Sequence, residues 1–251
     1  ERALRVSDGD LGRATLEPLL AGYLRSGGFP EYLAADPADR DGYFWRTVVE
    51  RVLFRDLPSL VGEIDRRVIS KALLHAAHET GRLVNFASLA SDWGVTRATV
   101  GNYFRHLETA NLVRPLPRFA RTAEARARGA LKVFAVDPGL SLDLRRESGA
   151  VPLRGEVLGA IAETTVHGQI LRLGAKAVYH WRDRDREVDL VIETPSALVA
   201  VEVRAGKEAG DLRGLEAFAR EFRGVVPVVL YNGPLERRGA RLFVPFRLFF
   251  S

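Results

Sequence analysis

The sequence contains no cysteine and no methionine. Without thiols there is no disulfide, no thiolate metal site and no cysteine nucleophile, and a cytoplasmic location is expected. The missing Met extends to position 1, so the chain is expected to be a fragment or processed region of something longer. Long apolar runs are also lacking. Ala197–Val203 and Val225–Tyr231 fall far short of the roughly 20 residues that cross a bilayer, and no membrane partner is expected. The mixed-charge opening Glu1–Asp10 is not a signal peptide. No repeat or low-complexity tract is present. The pattern Gly-x-x-x-x-Gly-Lys-[Ser/Thr] is absent, which excludes a P-loop ATPase within these residues. Lysine is scarce, four against 33 arginines. A GC-rich genome is the simplest source of that bias, although Arg also suits phosphate and carboxylate partners through its planar fork.

What is present describes a folded chain. The 251 residues are 47% hydrophobic and 27% charged, with a net charge of +5, which excludes wholesale disorder and suggests one large domain or two to three small ones. The pI near 9.8 permits nucleic-acid binding.

Four segments separate by pattern. Residues 1–67 are predicted to be a helical, lid-like segment. Leu16, Leu19, Leu20, Tyr23 and Leu24 share a helical face that Gly27-Gly28-Phe29-Pro30 ends, and Arg40–Phe54 is a second amphipathic stretch ended by Leu57-Pro58. Residues 68–120 give helices over Val68–Glu79, Phe86–Asp92 and Arg97–Ala110. Gly94-Val95-Thr96 turns between the last two, and Asn111–Leu116 has the alternation of a wing strand. This is the order of a winged helix-turn-helix. Residues 121–150 form a connector, with Arg121–Gly129 a mobile loop, Lys132–Val136 a strand and Asp137-Pro138-Gly139 a turn. Residues 151–251 alternate helix and strand: helix Glu156–Leu173, strands Lys176–Arg182, Glu187–Glu193 and Ala197–Arg204, helix Gly210–Phe222, then strands Val225–Tyr231 and Ala240–Phe249. A meander joined to a crossover makes a mixed sheet, and the whole chain is α/β, or α+β overall.

Two constellations carry chemistry. Glu187 and Asp189 lie two apart on one strand and face one side. Glu202 ends the next strand with Arg204 two residues on, and Glu163 lies mid-helix before them. If that helix packs across the sheet, Glu163, Asp189 and Glu202 converge as the ligands of a magnesium or manganese ion that could activate water against phosphate. The alternative is a metal-free, partly buried ion-pair cluster. The second constellation is the helix over Arg97–Ala110. Val100, Tyr103, Phe104 and Leu107 face inward, and Arg97, Thr99, Asn102, Arg105 and His106 face outward with chemistry suited to phosphates and base edges. From Arg97 to Arg128, seven arginines against Glu108 and Glu124 leave a local excess of +5. Arg114, Arg118 and Arg121 complete the expected nucleic-acid-binding set. The histidines are weaker candidates: His75, His78 and His106 lack ligand-spaced partners, and His167 shares a helix face with Glu163.

An Asp on one strand and Glu-x-Lys on the next resembles the layout of the PD-(D/E)xK nuclease superfamily, whose sheet is restriction-endonuclease-like. More of the chain resembles the C-terminal half of prokaryotic AAA+-type ATP-binding proteins that carry the domain of unknown function 4143. The matching pieces are Gly27-Gly28-Phe29-Pro30-Glu31-Tyr32-Leu33, Arg55-Asp56, the stretch from Val84-Asn85 to Leu112, and Lys132, Val133, Asp137, Gly139 and Leu140. They continue with Glu163, Trp181-Arg182, Glu187-Val188-Asp189 and Glu202-Val203-Arg204. The resemblance implies an upstream ATPase domain, through which alone ATP would act, and catalytic roles for Asp189, Glu202, Arg204 and Glu163. Two positions depart from the family. Thr164 stands where an Asn is usual. Arg204 stands where Lys is usual, and Arg cannot act as a general base; Lys207 lies outside the strand register. The expected function is a nucleic-acid-binding portion of an ATP-driven protein, DNA ahead of RNA, with a degenerate or weak nuclease-like domain. The alternatives are an active magnesium-dependent DNase and a protein-interaction or homo-oligomerisation module.

Overall fold

The computed structural model describes residues 11–146, 152–208 and 210–250; the expectation for Glu1–Asp10 lies outside them. Helix α1 (Leu11–Ser26) stops at Gly27, whose φ of +69° suits glycine. A Cβ there would also lie 1.7 Å from Asp137 Oδ1. The chain then turns back into helix sooner than expected. Pro30 begins α2 (Pro30–Ala34), because a proline at the first helical position forfeits no hydrogen bond. The amphipathic stretch after it is helical with two π-type turns, Trp45–Val49 and Val52–Asp56. Leu57-Pro58 does not end it: α3 (Leu57–Val61) follows, again with Pro in its first turn.

The next elements are α4 (Arg66–His78), β1 (Arg82–Leu83), α5 (Phe86–Trp93), α6 (Arg97–Thr109), β2 (Val113–Leu116) and β3 (Lys132–Ala135). Asp65, Asn85 and Thr96 each accept backbone N–H groups at the start of a helix, the polar caps that Ser, Thr, Asp and Asn supply. Gly94 leaves α5 in the left-handed conformation and sets the turn into α6. The three strands form an antiparallel sheet in the order β1-β3-β2. Val100, Tyr103, Phe104 and Leu107 are buried as expected, in one core with Phe44, Leu53, Leu73 and Trp93.

Two expectations for the connector fail. The Ala-rich Arg121–Gly129 stretch carries α7 (Ala123–Ala127), capped by the Thr122 side chain; Ala is the best helix former and no β-branched residue interrupts it. Asp137-Pro138-Gly139 is not a plain turn but the start of α8 (Pro138–Arg146). Asp137 Oδ1 accepts the Gly139 and Leu140 N–H groups at 2.7 and 3.4 Å, and its Oδ2 takes Gly28 N–H at 2.9 Å.

The remaining elements are α9 (Gly155–Arg172), β4 (Val178–Asp183), β5 (Arg186–Glu193), β6 (Leu198–Val203), α10 (Arg213–Glu221), β7 (Val225–Tyr231), β8 (Glu236–Arg238), β9 (Arg241–Pro245) and α11 (Phe246–Phe249). The expected last strand breaks at Pro245 into β9 and α11, since Pro cannot donate to a ladder, and β8 was not foreseen. The six strands run β4-β5-β6-β7-β9-β8. β4, β5 and β6 are an antiparallel meander, β6-β7 and β7-β9 are parallel, and β8-β9 is antiparallel. The fold is thus mixed α+β. One sheet face packs Val166 and Ile170 of α9 on Leu190, Val201 and Leu230. The other packs Leu215 and Phe218 of α10 on Val188, Ala200 and Val229.

The two sheets are joined through the connector. Phe119 N–H donates to His180 O at 2.6 Å, and His180 N–H to Pro117 O at 3.0 Å. Arg126 pairs with Glu193 at 3.0 Å and stacks over Tyr179 at 4.6 Å. These contacts tie the connector, and α7 with it, to β4 and β5 of the larger sheet.

Candidate functional site

β5 and β6 pair regularly from Glu193–Leu198 to Leu190–Val201. Beyond that the Asp189 carboxylate takes over the ladder, its Oδ2 accepting Val203 N–H at 2.8 Å. β5 also bulges here: Tyr179 pairs with Val191 but Trp181 with Val188, leaving one extra residue on β5. Bulges re-aim side chains and terminate pairing. The result is a buried carboxylate between strands, beside Glu202 on β6; they are 7% and 5% exposed.

Arg204 closes the cluster. Its Nη2 pairs with Glu202 Oε1, its Nη1 lies 3.9 Å from Asp189 Oδ2, and it donates to the carbonyls of Val203 at 3.1 Å and Asp211 at 2.9 Å. Glu202 Oε2 is enclosed and has no hydrogen-bond partner. Glu163, in the middle of α9, and Glu187, on β5, are tied in through a residue the sequence argument left aside. Lys132, first residue of β3, is 4% exposed, pairs with Glu187 and lies 3.7 Å from Glu163. All four expected catalytic residues, Glu163, Asp189, Glu202 and Arg204, therefore come together, and Lys132 reaches them from the smaller sheet.

Burial sets the proton affinities. Desolvation, and then the Asp189 charge, push the Glu163 carboxyl from its usual value up to about 8, against the pull of Lys132. Desolvation also raises Asp189 and raises Glu202 strongly, with Asp189 adding to the effect on Glu202 and Arg204 opposing it. Lys132 is itself held well above the usual lysine range by Glu163, Asp189 and Glu187, despite its burial. Among the described residues no three His, Asp or Glu side chains are grouped to hold a metal ion.

Thr164, where the family usually has Asn, turns away from the acids. Its hydroxyl meets Thr80 Oγ1 at 2.9 Å and bonds Ala160 O at 2.7 Å, while Thr80 Oγ1 accepts Ala135 N–H at 3.0 Å. It serves the junction between β3 and α9. His167 is buried against Phe134, ring centroids 4.6 Å apart, and burial lowers it to about 3. Lys207 is exposed.

The outward face of α6 is open. Arg97, Asn102 and Arg105 are exposed, and Arg105 bonds Asn102 Oδ1. Thr99 is half-buried, its hydroxyl 2.8 Å from Thr96 Oγ1. A groove of about 1050 Å³ runs beside the start of α6, lined by Asn85, Phe86, Arg97, Arg126, Arg128 and Tyr179 among others. The other expected arginines do not join this face. Arg118 is spent on Arg182 O at 2.8 Å, and Arg121 on Glu221 O and the Phe222 ring. Arg114 is half-buried with Nη1 enclosed. Arg126 and Arg128 line the groove instead. The sequence signal for Lys132 was a charged residue heading the apolar run Lys132–Val136; a cation in a buried strand needs a buried anion.

No helix among the described residues is long and apolar enough to cross a membrane. Comparison with curated proteins and with solved structures gives no match. Two family models match. Residues 158–249 match a domain of unknown function, DUF4143, so the resemblance traced along the whole chain is found in its C-terminal part. Residues 17–150, more than half the chain, match a different one, DUF8612. On that coverage the chain belongs to the DUF8612 family of domains of unknown function, here followed by a segment that matches DUF4143.

Proposed function

We propose that this chain binds nucleic acid through α6 and the groove beside it, and that its carboxylate centre is an ion-pair core derived from a nuclease-like layout. The observation that carries the reading is the open face of α6. Helix, short strand, helix, turn and helix on a three-stranded antiparallel sheet is a winged-helix arrangement, and Arg97, Asn102 and Arg105 are left to solvent on the helix such folds present to DNA. The connection that would form the wing is tied down on β4, so Arg126 and Arg128 flank the helix rather than project beyond it. The resemblance to AAA+-type proteins adds an ATP-driven domain of the same protein as a partner, and ATP would act only through it.

For the centre, the donor set does not fit a resident magnesium ion. Lys132 and Arg204 already stand among Glu163, Glu187, Asp189 and Glu202, and Arg204 cannot take a proton from water. The rival reading, an active metal-dependent DNase, draws on Glu202 Oε2, which is buried without a hydrogen-bond partner.

Fluorescence anisotropy with a labelled duplex tests the binding. Affinity should fall steeply between about 50 and 200 mM salt, and Arg97→Ala with Arg105→Ala should lower both affinity and the salt slope, by about 0.9 per lost phosphate contact. Binding that is absent at low salt, or indifferent to this double substitution, refutes the proposal. Incubation of the same duplex with magnesium or manganese should leave it intact. Cleavage that disappears in Asp189→Asn would establish the DNase reading instead.

A further inference from the structure

Arg114 and Arg172 lie together on the side of α9 next to α1, away from the carboxylate centre. A Cβ placed on Gly168 would sit 3.1 Å from Arg114 Nη1 and 3.6 and 3.9 Å from Arg172 Nη1 and Nη2. Two guanidinium forks thus converge on one point above a glycine. Arg114 Nη1 is enclosed and has no hydrogen-bond partner. Arg172 donates to the Tyr23 hydroxyl and to Gln169 Oε1, each at 3.1 Å. The acid that bears on this pair is Asp137, and its oxygens already accept the Gly28, Gly139 and Leu140 N–H groups. His167, which faces Arg114, is kept neutral by burial and by that cation. An enclosed guanidinium nitrogen without an acceptor is costly unless an anion meets it.

Arg172 and Tyr23 also border a groove, which Arg114 and Gly168 themselves do not line. A cavity of about 510 Å³ is lined by Leu19, Leu20, Tyr23, Arg172, Arg247 and Phe250, among others. That volume suits a small organic ligand, and an apolar wall with a few convergent polar groups is the usual composition of such sites.

We infer that Arg114 and Arg172 form an oxyanion seat over Gly168, and that the ligand is a phosphate monoester whose apolar part lies along Leu19, Leu20 and Phe250. Two planar forks and a tyrosine hydroxyl match the several acceptor oxygens of a phosphate. Arg172 is exposed, so its fork turns onto the incoming anion and leads it to Arg114 Nη1. Gly168 lets both forks lie this close to α9, because a side chain there would press on Arg114 Nη1. This site is independent of α6 and of the carboxylate centre, so the failure of either proposal leaves the other standing.

The test is thermal unfolding of the whole chain with inorganic phosphate, phenyl phosphate or chloride at matched ionic strength. Wild type should melt higher as either phosphate is raised, as expected for a ligand bound by the folded state alone. Phenyl phosphate should bind about tenfold more tightly, the return on burying roughly 60 Å² of its ring. Arg172→Gln and Arg114→Met should each abolish the phosphate-dependent shift. Gly168→Ala should weaken it while leaving the chain folded, so the seat stays testable if Arg114→Met fails to fold. A shift no larger than that with chloride, or one that survives both arginine substitutions, overturns the inference. Equal affinity for the two phosphates overturns the ester assignment.

Discussion

Replacing Lys132 by Met removes the buried cation on which Glu163, Glu187 and Asp189 depend and keeps the length of the side chain. Removing one partner of a buried pair costs about 3–5 kcal/mol, because the other charge stays buried. Here the partners are not fully dry: the Glu163 and Glu187 side chains are 21% and 33% exposed. Discounting for that screening leaves about 2–4 kcal/mol. The cost should also depend on pH. Glu163 is raised from 4.5 to about 8. Between those values the folded chain holds a proton that the unfolded chain has released, so the Glu163 contribution to stability falls as pH rises through that window. Near pH 6 Glu163 is neutral with or without Lys132. Above about pH 8 it is charged in the wild type and faces Lys132, whereas in the variant it loses that cation and keeps only the weaker pull of Arg204, so the penalty of Lys132→Met grows with pH.

Urea unfolding of wild type and Lys132→Met, at about pH 6 and about pH 9, measures both effects by linear extrapolation. Adding Glu187→Gln should recover part of the loss, since replacing both partners costs less than orphaning one. A loss below about 1 kcal/mol at both pH values would refute the reasoning, because surface ion pairs contribute that little. A penalty of 2–4 kcal/mol that does not change with pH would refute the role given to Glu163.

Thr80→Val leaves the Ala135 N–H and the Thr164 hydroxyl without their shared partner; a loss of about 1–3 kcal/mol is expected, with faster hydrogen exchange at Ala135. Gly214→Ala places a methyl 1.8 Å from Glu187 O, so α10 must lift from β5, and the melting temperature should drop by the equivalent of about 1–3 kcal/mol. His167 and His180 are lowered to about 3 and about 4 by burial. The unfolded chain protonates them first, so their contribution is present above about pH 6.5 and is lost as pH falls toward those values. Histidine NMR should show both rings neutral at pH 6, and an ordinary titration there would contradict their burial.

Much of the architecture could be read from periodicity and caps. Val68–Glu79, Phe86–Asp92, Arg97–Ala110 and Glu156–Leu173 were helices with clear apolar faces or breakers, and the meander strands had the right length and composition. Apart from β8, the failures turn on a proline or alanine whose meaning depends on what lies beside it. Gly27-Gly28-Phe29-Pro30 does end α1, but Pro30 also opens the next helix; Pro58, read as a terminator, and Pro138, read as part of a turn, likewise stand in first turns, where a missing N–H is harmless. Nothing local revealed that Phe119 and Arg126 would find Tyr179 and Glu193 and so fold Ala123–Ala127 onto the larger sheet. The convergence of Glu163, Asp189, Glu202 and Arg204 is legible because strand spacing and helix placement bring carboxylates to one end of the sheet. Lys132 was passed over because its partners lie 31 and 55 positions away. Arg114, Arg118 and Arg121 were assigned by charge alone, and charge does not say which way a strand or loop residue points.

The charges at the centre explain the proposal that it is an ion-pair core. Four carboxylates, Glu163, Glu187, Asp189 and Glu202, face the cations Lys132 and Arg204, with the more exposed Arg182 3.9 Å from Glu187. Low dielectric does not tolerate the difference. The fold resolves it with protons: Glu163, with a pKa of about 8, keeps most of its proton at neutral pH, and Glu202 is raised strongly as well. A divalent ion entering here would have to displace those protons and push aside Lys132, a residue of β3 whose side chain reaches into the larger sheet's acids. That insertion ties any change at the centre to the fit between the two sheets. Lys132→Met, which loosens that fit and bares the acids, is therefore also the variant in which a magnesium-dependent rise in melting temperature should first appear.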